Sequence, residues 1–312
     1  MGGFSRKSMG DIKFCKKFKI SLVVFLLLSS TIITSAFFIF DDNKILAKNS
    51  SEKNVLIGYD YISPALADGI KKANMEASKD SIVADINIPI IMYHYISDTP
   101  PNCLIPTLYT EAKIFEDNLT SLKANGYNTV FSSDLANYFI YKKPLPENPI
   151  VLTFDDGYED FYTNAYPLLK KYNERGVLYV IYEYMDKPGY ITRAQAKEMV
   201  ESGYVQIGSH TLNHSNLLAT NYNEAFRQIN ESRIKLSEAL ETNIVDFAYP
   251  YGKFSLRDEG LVKRAGYSMA VSTYPGTMQG LGRIFALRRL RPAKRMGSDF
   301  IKWLKEEENK NY

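Results

Sequence analysis

Residues 150–157, Ile-Val-Leu-Thr-Phe-Asp-Asp-Gly, decide the fold class of this chain. Ile150–Phe154 is a short apolar run of the kind that forms a buried strand, and Gly157 supplies a break after it. Adjacent residues of a strand point to opposite faces, so Asp155 and Asp156 reach one pocket only if the strand ends there. A solvated turn is the alternative, because Asp and Gly favour turns. The apolar run before the two acids favours the strand end.

Short apolar runs alternate with segments of helical period on both sides of this stretch. The predicted strands are Pro89–Tyr93, Thr129–Phe131, Ile150–Phe154, Val177–Tyr182, Val205–Gly208, Val245–Tyr249 and Ser268–Ser272. The predicted helices are Glu111–Asn125, Asp134–Tyr141, Tyr158–Asn173, Arg193–Ser202, Glu224–Glu241 and Ser255–Ala265. Thr192 and Gln195 have the spacing of a capping box before one of these helices. The alternation predicts an α/β fold with a parallel sheet, either a barrel or doubly wound.

Polar clusters follow directly on four of the predicted strands. They are His94, Asp155-Asp156, Ser209-His210 and Pro250-Tyr251-Gly252. In both kinds of parallel α/β fold the chemistry lies at the C-terminal ends of the strands. We therefore expect these side chains to share one rim of the sheet.

His210 and His214 have a spacing that places two imidazoles on one face of a helical turn, where both can bind one metal ion. The spacing alone is weak, but the chain has only three histidines and two of them are here. Together with Asp156 they form a two-histidine, one-carboxylate set that leaves positions open for water and substrate. Asp155 is then the predicted base that takes the proton of a metal-activated water.

Composition excludes several other classes of protein. The net charge of +3 comes from the N-terminal segment, so the rest of the chain has no basic surface for nucleic acid. Two cysteines, Cys15 and Cys103, exclude a disulfide-rich scaffold and a cysteine-based zinc cluster. The sequence has no glycine-rich phosphate loop, G-x-S-x-G motif or cysteine-nucleophile signature. The remaining prediction is metal-assisted hydrolysis of an acyl bond without a covalent intermediate.

The N-terminus has the pattern of a membrane signal. Residues 20–40 are uncharged and mostly apolar, which is long enough to span a bilayer core, and six basic residues precede them. The positive-inside rule keeps residues 1–19 cytoplasmic and places the rest outside. Residues 41–86 are predicted as a stalk, and 87–312 as the catalytic domain. A cleaved signal peptide is the alternative, which would make the protein secreted.

The quoted motifs resemble those of the polysaccharide deacetylases of the NodB-homology type (carbohydrate esterase family 4). Thr153–Gly157 matches the family's T-F-D-D-G motif, Ser209–His214 its S-H-T-x-x-H motif, and Ala248–Gly252 is similar to its R-x-P-Y-G motif. The resemblance implies a distorted (β/α) barrel that removes N-acetyl groups from amino sugars. It implies Asp155 as catalytic base, a divalent metal, usually Zn²⁺, on Asp156, His210 and His214, and a backbone N–H of Tyr251 at the oxyanion.

Two family residues are missing from their usual places. Ala248 stands where the family has the arginine that braces the base, and the late stretch Phe285–Pro292 lacks the family's histidine general acid. The early segment Ile90–Tyr95 looks like the branch that deacetylates biofilm poly-N-acetylglucosamine, and His94 is its candidate acid. The alternative for His94 is a core histidine bonded to the backbone. The late stretch has three arginines, Arg288, Arg289 and Arg291. They bind substrate, fix Asp155, or simply belong to a surface strand.

The sequence thus predicts a membrane-anchored, extracytoplasmic, metal-dependent N-deacetylase. An N-acetylglucosamine polymer is the expected partner, with poly-N-acetylglucosamine favoured over peptidoglycan or chitin-like oligomers. Tyr158 and Tyr251 adjoin the motifs and are candidates for the sugar groove. The alternative function is a glycan-binding surface protein on a catalytically degenerate form of the same fold.

Overall fold

The computed structural model describes residues 85–310 and, before them, four strands. These are β1 (Leu22–Leu27), β2 (Thr34–Asp41), β3 (Lys44–Asn49) and β4 (Glu52–Ile57), which pair antiparallel in chain order. They belong to a compact unit, 1–82, that is separate from a second unit, 83–312.

The structure describes strands β1 and β2 where the sequence predicts one membrane-spanning helix at 20–40. A continuous apolar run is compatible with either element by periodicity alone. No helix among the described residues combines the length and apolarity needed to cross a membrane. The predicted cytoplasmic segment 1–19 and the part of the predicted stalk at 58–84 lie outside the described residues. The anchor and the stalk stay predictions.

The second unit is built from short strands alternating with helices. Its strands are β5 (Ile86–Asn87), β6 (Ile90–Tyr93), β7 (Asn128–Thr129), β8 (Pro149–Phe154), β9 (Gly176–Val180), β10 (Val205–Ser209), β11 (Asp246–Ala248), β12 (Met269–Val271) and β13 (Met278–Gln279). Its helices are α1 (Ala112–Ala124), α2 (Ser132–Tyr141), α3 (Tyr166–Tyr172), α4 (Arg193–Glu201), α5 (Tyr222–Leu240), α6 (Leu256–Arg264) and α7 (Gly297–Glu308).

The central sheet is parallel and its two edges are joined. The strand order is β12-β11-β10-β9-β8-β6, with β7 paired to β8. The segment 287–290 bridges both edges, pairing Ile91 with Leu290 and Val271 with Leu287. Its backbone bonds are 2.8 Å from Leu290 N to Ile90 O and 2.9 Å from Leu287 N to Ala270 O. The predicted distorted barrel is therefore the architecture of this unit.

Both faces of the sheet are buried, as parallel sheets require. Alternate residues of β6, β8, β9, β11 and β12 enter two different apolar clusters. Ile91 and Leu152 belong to the larger cluster, which includes residues of α1, α3, α4, α5, α6 and α7. Ile90 and Val151 point the other way, into a cluster that includes α2. This alternation fixes which side chains at the strand ends face the rim.

The predicted elements are confirmed, with differences in extent. The capping box is formed, with Gln195 N donating to Thr192 Oγ1 at 3.2 Å and Thr192 N to Gln195 Oε1 at 2.7 Å. The helix predicted at 158–173 forms over residues 159–172, with a π-helical turn at Phe161–Ala165 before α3. Helix α7 and the pair β5–β13 were not predicted. Strand β5 spans the predicted boundary between the stalk and the catalytic domain.

Strand β11 carries a fully buried carboxyl group, that of Asp246. The Ser132 hydroxyl donates to Asp246 Oδ2, and Gln206 Nε2 donates to Ser132 Oγ at 2.9 Å. Burial raises the pKa of Asp246 to about 6, although these hydrogen bonds oppose the shift. The protonated carboxyl therefore stabilises the folded chain relative to the unfolded chain. This contribution to the free energy of unfolding is lost as the pH rises through about 6.

We expect the Asp246→Asn variant to show a weaker dependence of stability on pH. Between pH 5 and pH 7.5 the wild type should lose about 1 kcal/mol more unfolding free energy than the variant, because only the wild type must ionise a buried carboxyl. Urea unfolding of the full chain at both pH values measures this difference. Equal losses in the two proteins would contradict the raised pKa.

Candidate active site and metal centre

The ends of three parallel strands of the central sheet bring the predicted site residues together. His94 follows β6, Asp155 and Asp156 follow β8, and His210 follows β10. These three strands end at the same rim because they are parallel. The site thus lies where a parallel barrel places its chemistry.

Asp155 forms a two-point ion pair with Arg289. Arg289 Nη1 lies 2.7 Å from Oδ1 and Nη2 lies 2.8 Å from Oδ2 of the carboxylate. The guanidinium also donates to Thr153 Oγ1 at 3.1 Å and to the carbonyl of Ser272 at 2.8 Å. Arg289 is 1% exposed, so the pair is shielded from water. Among the three late arginines, Arg289 is the one that holds Asp155.

This ion pair keeps Asp155 ionised. Burial alone would raise the pKa of Asp155, but the charge and hydrogen bonds of Arg289 outweigh burial and hold the pKa far below its ordinary value. His94 Nε2 lies 3.9 Å from Asp155 Oδ2. Burial lowers the pKa of His94, and the raising effect of Asp155 does not compensate. At neutral pH the site therefore contains an ionised Asp155 beside a neutral His94.

Asp156, His210 and His214, here called the metal trio, converge on one point. Asp156 Oδ1 lies 3.4 Å from His210 Nε2 and 3.3 Å from His214 Nε2, and the three ligand atoms lie within 4.8 Å of one another. Ligands about 2.0–2.1 Å from a tetrahedral ion are about 3.3–3.4 Å apart, so the two spacings match those of a tetrahedral zinc site.

The surroundings of His210 and His214 set their orientation and their protonation. His210 Nδ1 lies 2.7 Å from the carbonyl oxygen of Ala248. The Nδ1–H donates to that carbonyl, which directs Nε2 toward Asp156. Burial lowers the pKa of His210, but the Asp156 carboxylate outweighs burial and raises it, so this point favours a positive charge. Burial, helped by the nearby His210, lowers the pKa of His214 to about 4. His214 is therefore neutral at pH 7 and can also act as a ligand.

The buried carboxylate oxygen of Asp156 tests whether a cation fits here. In the described part of the chain, no hydrogen-bond donor satisfies Asp156 Oδ1. A buried carboxylate oxygen without a donor is costly unless a cation binds it. Two nitrogen ligands and one carboxylate oxygen suit a divalent transition metal such as zinc. The metal trio therefore fits a divalent ion.

The backbone at this rim is held in an uncommon conformation. Four residues other than glycine have positive φ angles here: Asp156 (80°), Thr211 (69°), His214 (63°) and Tyr251 (60°). Such residues cost free energy and concentrate at functional sites. Gly157, with φ 79°, continues the turn that Asp156 begins, as expected from the quoted stretch.

The two predicted groove residues both lie beside the metal trio. The ring of Tyr251 lies 4.4 Å, between centroids, from the ring of His214, and Tyr251 is 58% exposed. Tyr158 is half-buried, and burial together with the charge of Asp156 raises its pKa. The role of the Tyr251 N–H at an oxyanion stays a prediction.

Sequence reasoning missed the groups that hold the catalytic side chains in place. The hydroxyl of Thr153 and the carbonyl of Ser272 position Arg289, and the carbonyl of Ala248 positions His210. Thr153 carries a signal, because it is a polar residue inside the apolar strand run. The two carbonyls carry none, since any residue type supplies one.

Comparison with known proteins agrees with this geometry. The family model for polysaccharide deacetylase matches residues 142–270. The Bacillus subtilis protein YxkH, named as a polysaccharide deacetylase, is 30% identical over 214 residues, covering 68% of this chain and 74% of YxkH. The chain belongs to the polysaccharide deacetylase family. The predictions of that family and of a hydrolytic deacetylase are confirmed.

Two further similarities are more distant. The poly-beta-1,6-N-acetyl-D-glucosamine N-deacetylase of Escherichia coli K12 is 26% identical over 221 residues, which are 57% of this chain. The match spans 33% of that enzyme's length. The structure of the Streptococcus pyogenes deacetylase PplD in complex with acetate superposes with a TM-score of 0.66 at 26% identity, covering 70% of this chain and 98% of PplD.

We expect the Asp156→Asn and His214→Ala variants of the deacetylase to bind zinc at least about a hundredfold more weakly than the wild type, because each removes a ligand of the metal trio. Calorimetric titration of zinc into the chelator-stripped full chain measures the affinity. His94→Ala is the matched control, since it removes an imidazole from the same rim and should keep wild-type affinity. If His94→Ala weakened zinc binding as much as His214→Ala, the assignment of the ligands would be wrong.

Proposed function

We propose that this chain is a divalent-metal-dependent N-deacetylase that acts on poly-N-acetylglucosamine outside the cell. The observation that carries the proposal is that two adjacent carboxylates, Asp155 and Asp156, have different partners. Arg289 holds Asp155. Asp156 instead faces the Nε2 atoms of His210 and His214. Asp155 is thus an ionised base that does not belong to the metal trio but lies beside it.

A divalent metal ion on the metal trio would polarise the acetyl carbonyl and make a water molecule acidic enough to attack it. Asp155 then accepts the proton of the attacking water. Its low pKa keeps it ionised and ready, but also makes it a weak base by itself. Asp155 therefore depends on the acidity of the water, and its bidentate contact with Arg289 fixes where its free lone pairs point.

His94 is the proposed donor of a proton to the leaving amine. Burial keeps its imidazole neutral in the resting site, so the proton must reach it during the reaction. Asp155 is the neighbouring group that has just gained one, and its Oδ2 lies 3.9 Å from His94 Nε2. Transfer from Asp155 to His94 and then to the nitrogen would return both side chains to their starting states as the C–N bond breaks.

Zinc is the proposed metal, because two imidazoles and one carboxylate are ligands that zinc prefers. The proposed substrate rests on the similarity to the Escherichia coli poly-beta-1,6-N-acetyl-D-glucosamine N-deacetylase. Peptidoglycan and chitin-like oligomers are the next substrates to test. The proposed location rests on the basic segment 1–19 and the apolar residues 20–40.

The alternative, a glycan-binding protein that has lost catalysis, was motivated by the missing arginine and the missing late histidine. Arg289 makes the contact with Asp155 that the missing arginine at position 248 would supply. His94 supplies an imidazole beside the same carboxylate. Both motives for a degenerate site are therefore weakened, and we favour the enzyme.

We expect the zinc-loaded full chain to release acetate from poly-β-1,6-N-acetylglucosamine, and the chelated chain to release none until zinc is restored. The Asp155→Asn variant should lose at least about a hundredfold in kcat, because it cannot accept the proton of the water. Chitooligosaccharides and peptidoglycan, assayed in parallel, rank the substrates.

Asp160→Asn is the matched control for this experiment. It changes a partly buried carboxyl four residues after Asp156, which accepts a hydrogen bond from Ser97 Oγ at 2.7 Å, and should retain activity. Absence of acetate from all three polymers with zinc bound would contradict the deacetylase. Binding of the polymers by such an inactive chain would support the glycan-binding alternative.

We expect the full chain to stay in the membrane pellet after an alkaline wash and to be degraded by protease added outside the cell. A chain lacking residues 1–40 should remain soluble, because the apolar run is absent. Recovery of a shortened chain from the medium would contradict the anchor and favour the cleaved signal peptide.

A further inference from the structure

Arg291 is a half-buried arginine directly after the segment that closes the barrel. Among the residues that the structure describes, none forms a hydrogen bond or an ion pair with its guanidinium. The other two late arginines are bound. Arg289 holds Asp155, and Arg288 Nη1 donates to the carbonyl oxygen of Pro275 at 2.9 Å. The charge of Arg291 is therefore available to a ligand.

The backbone places Arg291 nearer to the catalytic rim than Arg289. The segment 287–290 pairs in parallel with β6, so it runs toward the rim on which the site lies. Arg291 precedes Pro292, and the residue before a proline is biased toward extended backbone. Alternate residues of an extended chain share a face and lie about 7 Å apart. Arg291 thus continues the face of Arg289 by one step toward the rim.

Arg291 lies close enough to the site for its charge to act on the catalytic groups. Burial lowers the pKa of Arg291, and the charges of Asp155 and Asp156 oppose this effect. Burial also lowers the pKa of His94, and the charge of Arg291 lowers it further. The two carboxylates do not neutralise Arg291, since Asp155 is paired with Arg289 and Asp156 belongs to the metal trio. A guanidinium partly removed from water without its own counter-ion is unfavourable, and an anionic ligand would relieve this cost.

Arg291 lines a cavity of about 370 Å³ together with the arginine that holds the base. Two further charged side chains line the cavity, and both are engaged. The guanidinium of Arg295 lies 4.8 Å from the ring centroid of Trp303, and Glu307 Oε1 lies 2.6 Å from Lys310 Nζ. A water molecule occupies about 30 Å³ in the liquid, so the cavity has room for a carboxylate or a phosphate group.

We propose that Arg291 binds a carboxylate or phosphate substituent of the glycan, next to the acetyl group being hydrolysed, and so makes the enzyme prefer acidic chains to neutral ones. This inference rests on the proposed function. A planar guanidinium presents N–H groups in a fork that matches two oxygens of a carboxylate or a phosphate. Such charge-assisted hydrogen bonds are stronger than those to the hydroxyl groups of a neutral sugar.

The test compares three tetramers of β-1,6-linked N-acetylglucosamine as substrates of the zinc-loaded full chain. One tetramer is neutral, one carries a carboxymethyl ether on O4 of each unit, and one carries a phosphate ester at the same position. We expect an acidic tetramer to have at least about a tenfold higher kcat/KM than the neutral tetramer. This ratio should fall at least about tenfold in Arg291→Gln, whereas Arg291→Lys, which keeps the charge, should retain part of it.

Arg288→Gln is the matched control, because it removes the same charge from the same late stretch. It should keep the wild-type ratio. The wild-type ratio should also decrease as sodium chloride is added, since salt screens a charge that is partly exposed. A higher kcat/KM for the carboxylate tetramer or for the phosphate tetramer identifies the group that Arg291 binds.

Calorimetry on the metal-stripped full chain separates binding from chemistry and from the metal. We expect the wild type to bind the preferred acidic tetramer at least about tenfold more tightly than the neutral tetramer, and Arg291→Gln to bind both equally. The same ratio and the same binding in wild type and Arg291→Gln, with the variant unfolding at the wild-type temperature, would overturn the proposal.

An equal loss of kcat/KM on neutral and acidic tetramers would also overturn the proposal, by assigning Arg291 to the chemistry instead of to selection. If the wild type released no acetate from any tetramer, the proposed deacetylase activity would fail. The calorimetry would still decide whether Arg291 binds an acidic substituent.

Discussion

The ion pair between Arg289 and Asp155 is the interaction on which the site depends. A buried charge is tolerated only when it is paired and its hydrogen-bonding groups are used. Arg289 meets this requirement with two bonds to Asp155, one to Thr153 and one to the backbone of Ser272. The pair also links the closing segment 287–290 to the end of β8. The segment that closes the barrel therefore also supplies the arginine that keeps the catalytic base ionised.

Two adjacent carboxylates can both stay ionised here because each has its own counterpart. Like charges this close would otherwise raise one pKa. Asp155 faces a guanidinium, and Asp156 faces the point where a metal ion fits. The positive φ of Asp156 turns the two side chains apart at the strand end. A short turn thus separates proton transfer from metal binding within two residues.

The sequence predicted the strands, most helices and the members of the site, because these leave local signals. Apolar runs, motif spacings and the short supply of histidine were sufficient for Asp155, Asp156, His210 and His214 to be singled out. It did not predict which late arginine meets Asp155, because that depends on the register of 287–290 against both sheet edges.

The position of a residue along the chain matters less in this barrel than the strand end that it reaches. The first strand of the barrel, β6, and the last segment, 287–290, are neighbours, with Met92 N donating to Leu290 O at 2.8 Å. An imidazole that follows β6 therefore lies where one that follows a late strand would also lie, and His94 reaches Asp155 by this route. The same closure lets an arginine near the C-terminus brace a base in the middle of the chain, while Ala248 remains small and gives only its carbonyl to His210. The family's chemistry needs an acid, a base, a brace and three ligands around one rim, and a closed barrel allows different strands to supply them.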